Sequence, residues 1–178
     1  MDSQTTDLFF AIAQIAGIFV GFGALISFSR DRRASVYELF MIRAVVTVGL
    51  FILVGALLPL LLSVYGMEGA LLWRVSGAIL FISNLASIYA QFAASDVRQA
   101  YGKRARTNMV GASFFWILLE GSSQLAMILL IIGLLPEFGM ALYTTVLIIN
   151  LFQATYLLAA MVYGREGPGS DDDSSEMI

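Results

Sequence analysis

Residues 112–135 read ASFFWILLEGSSQLAMILLIIGLL, a run of 24 residues with a single carboxylate, Glu120, in its middle third. A helix needs roughly 20 mostly apolar residues to cross a bilayer. A charged side chain near the centre of such a helix costs on the order of 3 kcal/mol, so Glu120 should face protein or water rather than lipid. The stretch therefore predicts a membrane-spanning helix that has a polar contact inside a bundle.

The composition extends this prediction to the whole chain of 178 residues. Hydrophobic residues make up 59% and charged residues 13% of the chain, whereas a soluble domain carries about 25% charged residues. The sequence has neither cysteine nor histidine, which excludes disulfides, thiol nucleophiles, thiolate zinc sites and histidine-held haem. We expect no cofactor and no metal site, and proton handling would fall to carboxylates.

Five apolar stretches predict the fold class, an all-α, polytopic membrane helix bundle. The predicted transmembrane helices cover residues of about 8–28, 41–65, 71–92, 112–135 and 138–163. We expect Thr6 or Asp7 to cap the first helix and Pro59 to bend the second. Residues 1–163 would form a single transmembrane domain. The acidic segment 164–178, rich in Gly and Ser, is predicted to be a disordered cytoplasmic tail.

The distribution of basic residues predicts the orientation of the bundle. With five crossings, nine of the ten Lys and Arg residues fall on one side and only Arg74 falls on the other. Basic loops stay in the cytoplasm, so we expect the N-terminus outside, the C-terminus inside, and a multi-pass protein of the cell inner (plasma) membrane. Six loop residues are expected to contact anionic lipid headgroups, rather than nucleic acid: Arg30, Arg32, Arg33, Lys103, Arg104 and Arg106.

Polar residues in three of the predicted helices should lie at similar depth. Helix rise places Glu120 about 12 Å and Gln124 about 18 Å from the cytoplasmic side. Returning helices bring further amides to these levels, so the predicted ion or proton path consists of Glu120, Gln124, Asn84, Asn150 and Gln153. Three roles remain open for Glu120: it carries a cation or proton, it stays protonated as a structural hydrogen-bond donor, or it pairs with Arg43.

Small residues recur at every fourth position of the first predicted helix. Ala13, Gly17 and Gly21 form a flat face on which another helix can approach closely. This predicted helix–helix contact face would either pack against a neighbour in the same chain or join copies of the chain to one another. Gln14 could take part in either arrangement.

These features predict a small integral membrane protein rather than an enzyme. One deep carboxylate without a base partner, metal ligands or a phosphate loop is not a reaction centre. We expect an oligomeric ion or proton channel or transporter that uses a buried carboxylate. The alternative is a non-catalytic membrane subunit or scaffold of a larger complex. The expected partners are membrane lipids and either copies of the chain or another membrane protein, with no nucleic acid.

Overall fold

The structure, a computed structural model, describes residues 2–29, 36–93 and 109–163, and the side chains of residues 2–28, 42–89 and 117–159. The described residues form five long α-helices and one short 3₁₀-helix, with no β-strand among them. The elements are α1 (Ser3–Ser29), α2 (Val36–Val64), α3 (Gly69–Ala93), α4 (Met109–Ile132), the 3₁₀-helix Pro136–Phe138 and α5 (Gly139–Tyr163). The predicted all-α helical bundle is confirmed.

Four helices in the described part of the chain are long and apolar enough to cross a membrane. Their candidate spans are Ser3–Phe28, Ile42–Val64, Gly69–Tyr89 and Pro136–Ala159. In α4, the described apolar segment is shorter and runs from Ile117 to Ile132. Since a span takes roughly 20 apolar residues, the chain has the character of a multi-pass membrane protein.

The first helix starts earlier than the sequence predicts. The backbone N–H of Thr5 donates to Asp2 Oδ1 at 2.8 Å, which makes Asp2 the N-terminal cap of α1. The prediction of Thr6 or Asp7 as the cap is therefore wrong, because the helix already begins at Ser3. Hydrogen bonds from the Thr5 side chain, and then from its backbone, hold the pKa of the Asp2 carboxyl below its ordinary value of 3.8.

The fourth helix ends at Ile132, three residues before the predicted end at Leu135. The residue that follows, Gly133, has φ +74°, a left-handed conformation that terminates a helix and favours glycine. Its N–H donates to the carbonyl of Leu129 at 3.0 Å. The guanidinium of Arg74 packs so closely against Gly133 that a β-carbon there would collide with it. A cation at this end of a helix also complements the helix dipole.

Helix α5 lies at the centre of the bundle, because it contacts each of the other four helices. Its side chains Tyr143, Val146 and Leu147 are completely buried, as are Ile52 of α2 and Met127 of α4. These residues belong to one apolar core. Polar residues farther along the same face of α5 are consequently placed inside the protein.

Helix α2 continues through Pro59, which is buried. Proline has no N–H, so the carbonyl four residues earlier, that of Gly55, lacks its usual helical donor. The hydroxyl of Tyr143 on α5 donates to this carbonyl at 2.7 Å. The hydrogen bond lost within α2 is thus replaced by one between helices.

Candidate functional site

Glu120 lies on α4, is half-buried, and accepts hydrogen bonds from amide side chains at both carboxylate oxygens. Asn84 of α3, which is 8% exposed, donates through Nδ2 to Glu120 Oε1 at 2.8 Å. Gln124, one turn further along α4, donates through Nε2 to the same oxygen at 2.8 Å. Residues four apart lie on one helix face, which allows the second bond to form within a single helix.

The other carboxylate oxygen is contacted from α5. Gln153, which is 2% exposed, donates through Nε2 to Glu120 Oε2 at 3.4 Å. One turn away, Asn150 Nδ2 donates to Ser123 Oγ at 3.3 Å and to the carbonyl of Val146 at 2.8 Å. The five residues of the predicted path therefore lie close together, at the junction of α3, α4 and α5. With Ser123 they form what we call the Glu120 cluster: Asn84, Glu120, Ser123, Gln124, Asn150 and Gln153.

The antiparallel register of α4 and α5 explains why these contacts stack. Glu120 contacts Gln153, and Ser123 contacts Asn150, so three residues forward on α4 correspond to three residues back on α5. Residues three and four apart share a helix face. The same faces continue with buried apolar side chains, namely Met127 and Leu130 on α4 and Val146 and Tyr143 on α5. The cluster is the polar end of an otherwise apolar interface.

No positively charged side chain contacts Glu120 among the described residues. Arg43, considered as a partner from the sequence, is exposed and forms no ion pair with Glu120 in the described structure, so that alternative is wrong. Each of the three contacts places an amide N–H on a carboxylate oxygen. The cluster thus supplies the hydrogen bonds of an anion but no countercharge.

Within the described part of the chain, no group of three or more Asp, Glu, His or Cys side chains could hold a metal ion. No family model, curated protein or solved structure matches this chain.

Three buried polar atoms have no hydrogen-bond partner in the described structure: Ser76 Oγ, Gln124 Oε1 and Thr144 Oγ1. Gln124 Oε1 belongs to the Glu120 cluster itself. By helix rise, Thr144 lies about 9 Å from Asn150 along α5, and Ser76 lies about 12 Å from Asn84 along α3. Both hydroxyls are displaced from the cluster toward the end of the bundle that carries Asp2. Buried polar atoms without partners are rare and call for an explanation such as a bound water or ion. No sequence signal distinguishes Thr144, because threonines in apolar helices are common and normally bond to their own backbone.

An open cleft of about 370 Å³ lies at the end of the bundle that carries Asp2. Two carboxylates, those of Asp2 and Glu68, contribute to its lining. The remaining lining residues are Thr5, Met67, Gly69, Leu72 and Trp73. The unpartnered hydroxyls therefore lie, along the helix axes, between this acidic cleft and the Glu120 cluster.

The three residues of the predicted small-residue face lie in different surroundings. Ala13 is in the core at 6% exposure, and a β-carbon on Gly17 would lie 3.7 Å from the Leu53 side chain of α2. Gly21 is exposed, with nothing within 4 Å of such an atom. Each step of four residues turns about 40° around a helix of 3.6 residues per turn, so Ala13 and Gly21 face about 80° apart.

The close approach of α1 and α2 uses a different glycine from the predicted set. A β-carbon on Gly49 of α2 would lie 3.4 Å from the Ala16 carbonyl oxygen and 2.8 Å from a Val20 methyl group.

Two predictions concern residues outside those that the structure describes. One is the predicted tail 164–178. The other is the set of predicted lipid-contact residues, namely Arg30, Arg32, Arg33, Lys103, Arg104 and Arg106.

Proposed function

We propose that this multi-pass membrane protein moves a cation or a proton across the membrane by way of Glu120, as a small channel or transporter. The main support is a carboxylate in an apolar bundle that accepts three amide N–H bonds and contacts no positively charged side chain in the described structure. Carboxylates inside membrane proteins typically belong to ion or proton pathways. Carboxylate groups along such a pathway favour cations over anions.

The hydrogen bonds at Glu120 are all donated by neighbouring amides. All three amides direct N–H groups at the carboxylate oxygens. A carboxylic acid would need an acceptor for its own proton, and none of these three contacts provides one. An arriving cation or proton would supply the missing positive charge. The unpartnered oxygen of Gln124 could then turn to it, because hard cations prefer oxygen ligands.

The unpartnered hydroxyls support a route from the cluster toward the acidic cleft. Ser76 and Thr144 are polar groups within an otherwise apolar interior, and each has an oxygen free to accept a hydrogen bond. At the end of this route, Asp2 and Glu68 would raise the local concentration of cations.

The alternative is a membrane subunit or scaffold in which the Glu120 cluster only holds helices together. The observation in its favour is that two of the three bonds, those from Asn84 and Gln153, join α3 and α5 to α4. Hydrogen bonds between membrane helices contribute about 0.6 kcal/mol each on average, so such a role is energetically reasonable. In that role the cluster would stabilise the bundle and move no ion.

Ion flux into liposomes that contain the purified protein distinguishes these two functions. We expect flux of at least one of H⁺, Na⁺ and K⁺, and an at least tenfold loss in Glu120→Gln, corresponding to about 1.4 kcal/mol in the barrier. Glu137→Gln is the matched control, because Glu137 is exposed in the 3₁₀-helix, and it should retain full flux. Equal flux in Glu120→Gln and the wild type would contradict the proposal. No flux of any of the three ions from folded wild-type protein would favour the subunit.

A further inference from the structure

One row of residues on α1 points away from the rest of the bundle. Ile18 is 58% exposed and Leu25 is 64% exposed. Gln14 and Gly21 are also exposed, and a β-carbon on Gly21 would meet nothing within 4 Å. The spacing of four, three and four residues is that of a helix-pairing seam. We call these four residues the α1 seam.

Gln14 is the member of the α1 seam that lipid cannot accommodate well. It lies eleven residues after Ser3 and fourteen before Phe28, the ends of the α1 span, so it is close to mid-membrane. No described residue hydrogen-bonds to its side-chain amide. Lipid tails have no hydrogen-bonding groups, so an amide at this depth and facing outward is left unsatisfied.

Four outward-facing hydroxyls of the bundle differ from Gln14 in this respect. Ser83, Ser122, Thr145 and Thr155 each donate to a carbonyl three or four residues earlier in their own helix, at 2.8 to 2.9 Å. These groups can face lipid without a partner from outside. The Gln14 amide has no comparable bond within the described residues and needs a partner from another helix.

We propose that the α1 seam binds the α1 seam of a second copy of this chain, and that the two Gln14 side chains hydrogen-bond to each other. An amide carries both a donor and an acceptor, so two of them can exchange two hydrogen bonds. Copies inserted in the same direction are related by an axis along the membrane normal, which places each Gln14 at the depth of its copy. Gly21, seven residues further on, allows the two backbones to approach closely. This inference does not depend on the role proposed for Glu120.

Cysteine cross-linking of the full-length protein in liposomes tests which surface joins the copies, because the chain has no cysteine of its own. Under mild oxidation, Ile18→Cys and Leu25→Cys should form disulfide-linked dimers. Control variants carry the cysteine on other helices at similar exposure: Leu61→Cys on α2 (55%), Ile82→Cys on α3 (65%) and Leu125→Cys on α4 (58%). These controls should stay monomeric. Equal linking at a control position, or none at either seam position, would overturn the proposal.

The contribution of Gln14 is measured separately by energy transfer between labelled copies diluted in lipid. Gln14→Leu should weaken dimerisation about 3- to 30-fold, the range for one or two hydrogen bonds between membrane helices. Thr145→Val is the matched control, since the Thr145 hydroxyl already bonds to its own helix, and it should leave dimerisation unchanged. Both replaced groups are exposed, so circular dichroism should show unchanged helix content. Unchanged dimerisation in Gln14→Leu would overturn the assigned role of the amide.

Discussion

Replacing Tyr143 with phenylalanine removes the hydroxyl that donates to the Gly55 carbonyl from α5. Pro59 has no N–H to close the helical bond, and the Tyr143 hydroxyl occupies that place at 2.7 Å. Tyr143 is completely buried, so water cannot substitute for the lost hydroxyl. A buried acceptor left without a donor costs about 1–3 kcal/mol, and we expect Tyr143→Phe to lower the free energy of unfolding by that amount.

The expected dependence on Pro59 makes this prediction specific. In a Pro59→Ala background, residue 59 regains an N–H and can donate to Gly55 within α2. Tyr143→Phe should then cost only about 0.5 kcal/mol, which leaves a coupling free energy of about 0.5–2.5 kcal/mol between the two substitutions. A coupling of that size changes the folding equilibrium by a factor of about 2–70.

The assay is reversible unfolding in mixed micelles of a mild detergent and sodium dodecyl sulfate, followed by circular dichroism. It requires the wild type, both single variants and the double variant. Tyr89→Phe is the control, because Tyr89 is 76% exposed, and it should stay within about 0.5 kcal/mol of the wild type. If Tyr143→Phe costs as much with alanine as with proline at position 59, the hydroxyl does not replace the missing helical donor.

Two further predictions concern the ends of helices. Gly133→Ala should destabilise the protein by about 1–3 kcal/mol, because it forces a left-handed residue to carry a β-carbon against the Arg74 guanidinium. The control in the same unfolding assay is Gly121→Ala, at an exposed glycine with open space around it, which should be neutral or slightly stabilising. Asp2→Ala should speed hydrogen exchange at the Thr5 amide. Since the pKa of Asp2 is lowered by Thr5, this protection is fully present above pH 3.8 and is lost as pH falls through the lowered pKa of the folded protein. Wild-type exchange that keeps its protection below the lowered pKa of Asp2 would contradict the cap.

The meeting of polar residues from three helices could be predicted because helix rise fixes depth. Asn84, Glu120 and Gln153 were placed at one level by counting residues from the ends of their spans. Because polar side chains in membrane helices generally avoid lipid, these three residues are also expected to face each other inside the bundle. The apolar run does not reveal the extra turn at the start of α1, because Asp2 and Ser3 lie outside that run.

Other features depend on tertiary contacts that residue spacing does not contain. Nothing in the sequence around Pro59 indicates that a tyrosine from α5 supplies the missing donor. The prediction that Ala13, Gly17 and Gly21 share one face assumes that residues four apart lie directly above one another. In an α-helix, however, each step of four residues turns the side chain by about 40°. Only the positions of the other helices show that Gly21 and Gln14 face outward.

The measurement that tests the role of Glu120 most directly compares its chemical modification with ion flux in the same liposomes. A hydrophobic carbodiimide enters the bilayer and reacts with Glu120 once a proton has reached it, which gives an N-acylurea that mass spectrometry locates. We expect the flux to fall in proportion to the fraction of Glu120 modified, and Glu137→Gln to follow the same line. Complete modification of Glu120 with undiminished flux, or loss of flux while Glu120 stays unmodified, would contradict the proposal.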